Sequence, residues 1–248
     1  MYIYGKNVVK EALNSNQKIV KAYINKKSKE KDIIDELKRK NIKIHFVDQI
    51  VLNRLVEQNH QGFILEIDEI ETYPLDSLFK DNIKEPLVVI LDHLEDPHNF
   101  GAIIRTSEAL GVTAIIIPND RNVGITGTVV KTSAGAINNI KIIRVQSLNA
   151  TITKLKANGY WIIGTDLEGE NYTQIDYNIP IALVIGNEGH GISSTIKKAC
   201  DYIATIPMKG KINSLNASVS CGIFLAEIKN KREQNGRKIQ WLWTNIHG

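Results

Sequence analysis

Three stretches of the sequence gather side chains able to handle a ligand, and each adjoins an apolar run. The first, DPHNFGAIIRTSEALG at 96–111, sets Asn99 and Arg105 in a segment of helical period. Asn99 reads as an N-cap, its side-chain oxygen accepting a backbone N–H, while Phe100, Ile103 and Ile104 make an apolar face. Arg105 falls off that stripe, where a solvated helix charge is the plain reading. The second, LVIGNEGHGI at 183–192, spaces its glycines as GxxGxG directly after a strand, which lets backbone approach a ligand at the strand's carboxyl end. Glu188, between Gly186 and Gly191, suits a ligand amine or a guanidinium, and equally a negative charge near a helix N-terminus. The third, TIPMKGKINSLNASVSCG at 205–222, leads from a strand end through a flexible GK loop into Ser214, Leu215, Asn216, Ala217 and Ser218. Such small polar residues serve as helix caps or as backbone contacts to a cofactor.

The elements that must position these stretches are strands and helices in alternation. From Pro86 onward PLVVILDHL, TAIIIP, IKIIRV, YWIIGTD, IALVIG and YIATIP read as strands, separated by helical segments and followed by a last helix from about Asn216. Their Ile/Val runs do not alternate with polar residues, so both faces of the sheet are covered and the strands are mainly parallel. Upstream, residues 5–15, 29–40 and the run QIVLNRLVEQ have helical period, and 18–25, 42–48 and GFILEIDEI have strand character. The expectation is a small α/β domain over 1–70, a linker over 71–85 carrying Pro74 and mixed charge, and a larger α/β domain over 86–248.

Bulk properties narrow the partners. With 43% apolar residues the 248-residue chain fills its cores without staples, and 31 Lys and Arg against 27 Asp and Glu leave a charge of +4, compatible with a polyanion. Cys200 and Cys221 form no CxxC or Cys/His cluster, so neither a disulfide framework nor a structural zinc site is indicated. Runs such as LVVIL are too short to cross a bilayer, and the N-terminus lacks the pattern of an export signal; no membrane role is expected. There is no GxxxxGK[ST] and no GxGxxG at the first strand-to-helix turn of either domain, which removes the ordinary P-loop and dinucleotide folds.

Taken in order, the three stretches resemble the signature motifs of the SpoU (TrmH) family of RNA 2'-O-methyltransferases, in the SPOUT superfamily. The resemblance spans roughly 86–248, and the N-terminal unit ending in NHQG at 59–62 is similar to the family's ribosomal-protein-L30e-like RNA-binding domain. Ala217, Ser220 and Cys221 stand where the family often has Val, Ala and Ala.

The resemblance implies a mainly parallel catalytic sheet threaded into a deep trefoil knot, against the general rule that chains avoid knots. It implies S-adenosylmethionine held in a bent form by Thr165, Leu167, Gly186, Asn187, Gly191, Ile206 and Leu215, with no metal. Asn99, Arg105, Glu188, Ser214 and Asn216 then form the catalytic set. The implied reaction moves a methyl group from a sulfonium to a ribose 2'-hydroxyl, so the protein must align two atoms and help remove a proton. Because a guanidinium with a pKa above about 12 makes a poor base, Arg105 is read as a grip on the phosphate beside the target ribose. The same resemblance implies a homodimer whose last helix, 216–230, helps to pair subunits, and the two cysteines read as reduced thiols of a cytoplasmic protein. Its RNA is expected to be 23S rRNA, at a guanosine; tRNA is the alternative, and a catalytically inactive RNA-binding or ribosome-assembly factor is the rival from another class. Lys26, Lys27, Lys29 and Lys31, and the tail with Lys229, Lys231, Arg232, Arg237 and Lys238, are candidates for the RNA surface.

Overall fold

A computed structural model of the chain describes every residue except 15, 16, 58, 81, 82, 121, 212, 213 and 248, and no side chain from 236 onward, which leaves Arg237 and Lys238 outside the described residues. The N-terminal part consists of β1 (Tyr2–Tyr4), α1 (Lys6–Asn14), β2 (Ile19–Asn25), α2 (Lys31–Arg39), β3 (Lys43–Val47), α3 (Gln49–Leu55) and β4 (Phe63–Ile67). They form a mixed sheet in the order β1-β4-β2-β3, with only β2 and β3 parallel. Period two is visible in β2, where Ala22 and Ile24 are buried while Lys21 and Tyr23 are partly exposed. β1 was not among the expected strands, since three residues are too few for a period of two to register; its pairing with β4, Tyr4 opposite Ile64, creates it.

The second part contains β5 (Leu87–Asp92), α4 (Pro97–Ala109), β6 (Ala114–Pro118), α5 (Gly127–Thr132), β7 (Lys141–Val145), α6 (Leu148–Ala157), β8 (Trp161–Asn171), β9 (Ile181–Gly186), α7 (Ser194–Ala199), β10 (Tyr202–Thr205) and α8 (Ala217–His247). The six strands lie in the order β10-β8-β9-β5-β6-β7, all parallel, as the unbroken apolar runs require. Leu87, Val89 and Leu91 of β5 join one apolar cluster with Phe100, Ile104, Phe224 and Leu225, while Val88 and Ile90 join the opposite one with Leu148, Ile152 and Ile196. Each such burial contributes about 1.5–3 kcal/mol, which a strand buried along its whole length collects from both faces. α8 extends well beyond the expected 216–230.

Within the stretch 71–85, Tyr73 and Leu78 are anchored to the larger sheet. Tyr73 bridges Ile143 of β7 in parallel and donates its N–H to the Ile142 carbonyl at 2.8 Å. Leu78, only 2% exposed, is anchored in the sheet's second cluster. The two parts also touch through α5, which packs on β1: Lys131 lies over the Tyr4 ring at 5.2 Å, and a Cβ on Gly127 would come within 2.3 Å of the Tyr2 carbonyl oxygen.

Candidate active site

All three stretches converge at the carboxyl ends of β8, β9 and β5, where an open parallel sheet places its ligands. The β8–β10 ladder pairs Gly164 with Ile203 and next Glu170 with Ala204, so residues 165–169 stand out of register and are free to form a wall. Thr205 Oγ1 donates to the Leu167 carbonyl at 2.9 Å and ties that wall to the end of β10. The GxxGxG turn closes on itself: Asn187 and Gly191 exchange backbone hydrogen bonds at 3.0 and 2.9 Å, and Asn187 Oδ1 accepts the N–H groups of Gly189 and His190. Gly186 lies so close beneath it that a Cβ would sit 2.1 Å from the Gly191 carbonyl carbon. Gly191 has φ +66°, in the left-handed region that glycine enters at least cost.

Between these walls is a cleft of about 340 Å³. Thr165, Leu167, Gly186, Asn187, Gly191, Ile206 and Leu215 all line it, together with Glu188 and Ser214. Its sides are mixed. Leu167, 60% exposed, and Met208 offer uncovered apolar surface, while the glycine turn offers backbone polar groups. That volume lies in the range of small-molecule sites, about 300–1,000 Å³, and the mixture fits a ligand with a flat ring and a charged tail such as S-adenosylmethionine.

At the edge of the cleft Asn99 joins two of the other catalytic candidates. It is 6% exposed, donates Nδ2 to Glu188 Oε1 at 2.6 Å, and accepts Asn216 Nδ2 on its Oδ1 at 2.8 Å. Asn99 is therefore not the N-cap of α4. Asp96 takes that place by accepting the His98 N–H at 3.0 Å, because Pro97 suits the first helical position and moves the start upstream. Asn216 does two things at once: its Oδ1 caps α8 by accepting from the N–H groups of Ser218 and Val219, which leaves its Nδ2 for Asn99. Arg105 is not brought to this group. It lies further along α4, exposed and without a hydrogen-bond or ion-pair partner among the described residues. Ser214 lines the cleft without a bond to the asparagine–glutamate set.

Sequence reasoning passed over two aspartates. Asp92, at the end of β5, is 1% exposed; it accepts the Ser193 N–H at 2.6 Å and the His93 Nδ1 at 2.5 Å, tying the central strand to the start of α7. His93, at φ +61°, accepts Asn187 Nδ2 on its carbonyl at 3.0 Å. Asp166 lines the cleft. Burial alone would raise its pKa, but the Lys197 ammonium at 2.9 Å and the N–H groups of Glu168 and Leu167 hold it below the ordinary value, so a negative charge persists there. The signal for both was a carboxylate at a strand end, which without coordinates also describes a solvated residue.

The basic candidates divide. Lys26 is paired with Asp48 at 2.9 Å, whereas Lys27 and Lys29 are exposed without side-chain partners among the described residues. Arg232 is occupied in structure: its three nitrogens donate to the carbonyls of Tyr177, Glu85 and Ile179 at 2.7–2.8 Å. Lys231 donates to the carbonyls of Thr173 and Ile175. Among the described residues no group of three or more His, Cys, Asp or Glu could hold a metal ion, and no helix is long and apolar enough to cross a membrane.

A six-stranded parallel sheet with a cofactor-sized cleft at its strand ends, preceded by a small mixed-sheet domain, is the architecture of an RNA-methylating class of enzyme, and comparison with known proteins agrees. The SpoU rRNA methylase family model matches residues 86–226, and a model described as RNA 2'-O ribose methyltransferase substrate binding matches residues 2–73. The chain belongs to the SpoU rRNA methylase family and is an RNA methyltransferase. It is 40% identical over 242 residues to YacO of Bacillus subtilis, named as a TrmH family tRNA/rRNA methyltransferase, a match covering 95% of this chain and 97% of the relative. It is 39% identical to the 23S rRNA (guanosine-2'-O-)-methyltransferase RlmB of Coxiella burnetii, over 93% of this chain and 96% of that one. Among solved structures, the AdoMet-bound rRNA methyltransferase of Sinorhizobium meliloti superposes with a TM-score of 0.75 at 25% identity, covering 92% of this chain and 86% of that one. The α/β fold class and the cofactor expected from the sequence are thus those of its relatives.

Proposed function

We propose that the chain transfers a methyl group from S-adenosylmethionine to a ribose 2'-hydroxyl in RNA, at a guanosine of 23S rRNA. The observation that carries this reading is the bonding of Asn99 to both Glu188 and Asn216 beside a cleft of cofactor size. The match to a ribose 2'-O substrate-binding model and the name of the RlmB relative support the ribose and the guanosine. When bound, S-adenosylmethionine supplies an activated methyl group on a sulfonium. Thr165, Leu167, Ile206 and Leu215 flank it, and the turn over Gly186, Asn187 and Gly191 offers it backbone groups. Glu188 and Asn216, each fixed through Asn99, orient the incoming ribose, and Arg105 grips the neighbouring phosphate. No metal takes part.

Arg105 is exposed and makes no hydrogen bond to Asn99, Glu188 or Asn216 within one chain, and Val219 near the start of α8 is an apolar side chain 49% exposed. Both features favour a homodimer in which α8 pairs subunits and Arg105 serves the partner's cleft. The free thiols of Cys200 and Cys221 suit the reducing cytoplasm.

The test is methyl transfer from labelled S-adenosylmethionine to total ribosomal RNA and, separately, to tRNA, with Asn216→Ala as the control. Label in the large-subunit RNA that the variant loses supports the proposal. The tRNA reading, which the name of the Bacillus subtilis relative also carries, gains from label in tRNA alone. Cofactor binding without label in either RNA favours an inactive assembly factor.

A further inference from the structure

The N-terminal domain holds a groove of about 930 Å³ where the loop after β2, the first turn of α3 and the loop before β4 meet. Its floor is a fixed polar network. Asn25 Nδ2 donates to Gln49 Oε1 at 2.7 Å, and Gln49 Nε2 donates to Asn53 Oδ1 at 3.1 Å. His60, 3% exposed, accepts the Gly62 N–H on Nδ1 at 3.1 Å. Its proton is therefore on Nε2, which donates to Asn53 Oδ1 at 2.9 Å. The 3.3 Å approach of Gln49 Nε2 to His60 Nε2 follows from two donors converging on that one oxygen. Burial lowers the His60 pKa, so the imidazole stays neutral and this arrangement holds at neutral pH.

The network uses up its acceptors. Asn53 Oδ1 takes two donors, Gln49 Oε1 takes Asn25, and Gln61 Oε1 takes the Lys6 N–H at 3.0 Å. Asn53 Nδ2 and Gln61 Nε2 have no partner among the described residues, and neither have the ammonium groups of Lys27 and Lys29. Of the two carboxylates that also line the groove, Glu30 is spent on Lys6 at 2.8 Å and Glu57 stands at the side; the groove thus presents the amide donors of Asn53, held by buried His60, and of Gln61, beside the ammonium groups of Lys27 and Lys29. A ligand that fits offers carbonyl oxygens and a nearby phosphate. A nucleotide out of its stack does so, whereas the closed face of an A-form duplex cannot enter a hollow of this kind.

We propose that this groove takes an unpaired nucleotide of the substrate RNA, with Asn53 and Gln61 donating to base carbonyls and Lys27 and Lys29 contacting the adjoining phosphates. Uracil and guanine, which carry such carbonyls, bind in preference to adenine, whose exposed amino group would face another donor. The proposal rests on the chain being an RNA methyltransferase but not on which RNA it modifies.

The test is fluorescence anisotropy with the full chain and labelled hairpins that share one stem and carry a uridine loop or an adenosine loop, beside a blunt duplex of the same stem. The expected result is binding of the uridine loop at least fivefold tighter than the adenosine loop, and of both more tightly than the duplex. Asn53→Asp keeps the acceptor that His60 and Gln49 need but turns the free donor into an acceptor, and should abolish the preference. Lys27→Ala with Lys29→Ala should weaken both hairpins alike and flatten the salt dependence by about 1.4 in log–log slope, at about 0.7 per single-strand phosphate contact. Equal binding of loops and duplex, or an unchanged preference in Asn53→Asp, would overturn the proposal. Cofactor binding and methyl transfer, measured on the same proteins, separate the two readings: loop preference without transfer leaves the groove standing and removes the proposed reaction.

Discussion

Asn99 of α4 and Glu188 of the glycine turn lie 89 positions apart in sequence and meet in a 2.6 Å hydrogen bond. The amide N–H faces a carboxylate, and the amide oxygen on the other side takes Asn216 Nδ2 at 2.8 Å. A primary amide gives from its nitrogen to an anion and receives on its oxygen from a second amide with no change of protonation. The pairing therefore fixes which way round Asn99 sits, and it joins the start of α4 to the glycine turn after β9 and to the cap of α8.

Asn99→Ala removes both bonds while leaving the cleft lining intact, since Asn99 does not line it. A hydrogen bond to a charged group is worth about 1.5–3 kcal/mol, which corresponds to a loss of roughly tenfold to 150-fold in kcat. Cofactor affinity, read by calorimetry, should change much less. An equal fall in both would place Asn99 in cofactor binding instead.

Gly186→Ala should act on the cofactor first. The added methyl would meet the Gly191 carbonyl carbon at 2.1 Å and the Ile192 nitrogen at 2.3 Å, both backbone atoms that cannot rotate away. Overpacking of this kind costs about 1–3 kcal/mol. At about 2–4 °C per kcal/mol for a chain of this length, a thermal melt should move down by several degrees, with loss of cofactor binding.

Arg105→Lys keeps the charge and loses the two-pronged donor. Because Arg105 is exposed and unpartnered among the described residues, the variant should fold with an unchanged melt. Turnover should fall at least about tenfold if the guanidinium fork grips a phosphate. Wild-type turnover would remove that role.

Arg232→Met tests a structural use of charge. The guanidinium serves three carbonyls, those of Tyr177, Glu85 and Ile179, and so ties α8 to the segments entering β5 and β9. Leaving them unpaired should cost about 2–4 kcal/mol, seen as a lower melting temperature. Arg232→Lys should recover part of the loss, having a point charge without the fork.

His60 gives the N-terminal domain an acid sensitivity. Burial lowers its folded pKa from the ordinary 6.5, so the unfolded chain binds the proton more readily. The contribution of the neutral imidazole is complete above pH 6.5 and is lost as pH falls from there toward the lowered folded value. Denaturant melts between pH 7.5 and 5 should show this fall for the wild type, on the order of a single titrating group, and a flatter profile for His60→Gln.

Local pattern was enough for much of this protein. The Ile/Val runs of β5, β6 and β9 declare strands buried on both faces, and the order of the three motif stretches points to the family. Every residue expected at the cofactor lines one cleft. What the sequence leaves open is whatever depends on long-range approach. Asn99 reads as a cap until Asp96 and Pro97 are seen to start the helix, and only then is its amide free for Glu188 and Asn216. β1 exists because β4 offers it an edge, and Tyr73 joins the parallel sheet because β7 has an unpaired side. Lys231 and Arg232 look like an RNA-binding tail but are occupied by carbonyls more than fifty residues away. Sequence by itself determined the periods, the residue types and the motif order, since these are local properties of the chain; tertiary structure decided which polar groups are spent on one another and which remain for a ligand, because a hydrogen bond depends on distance in space.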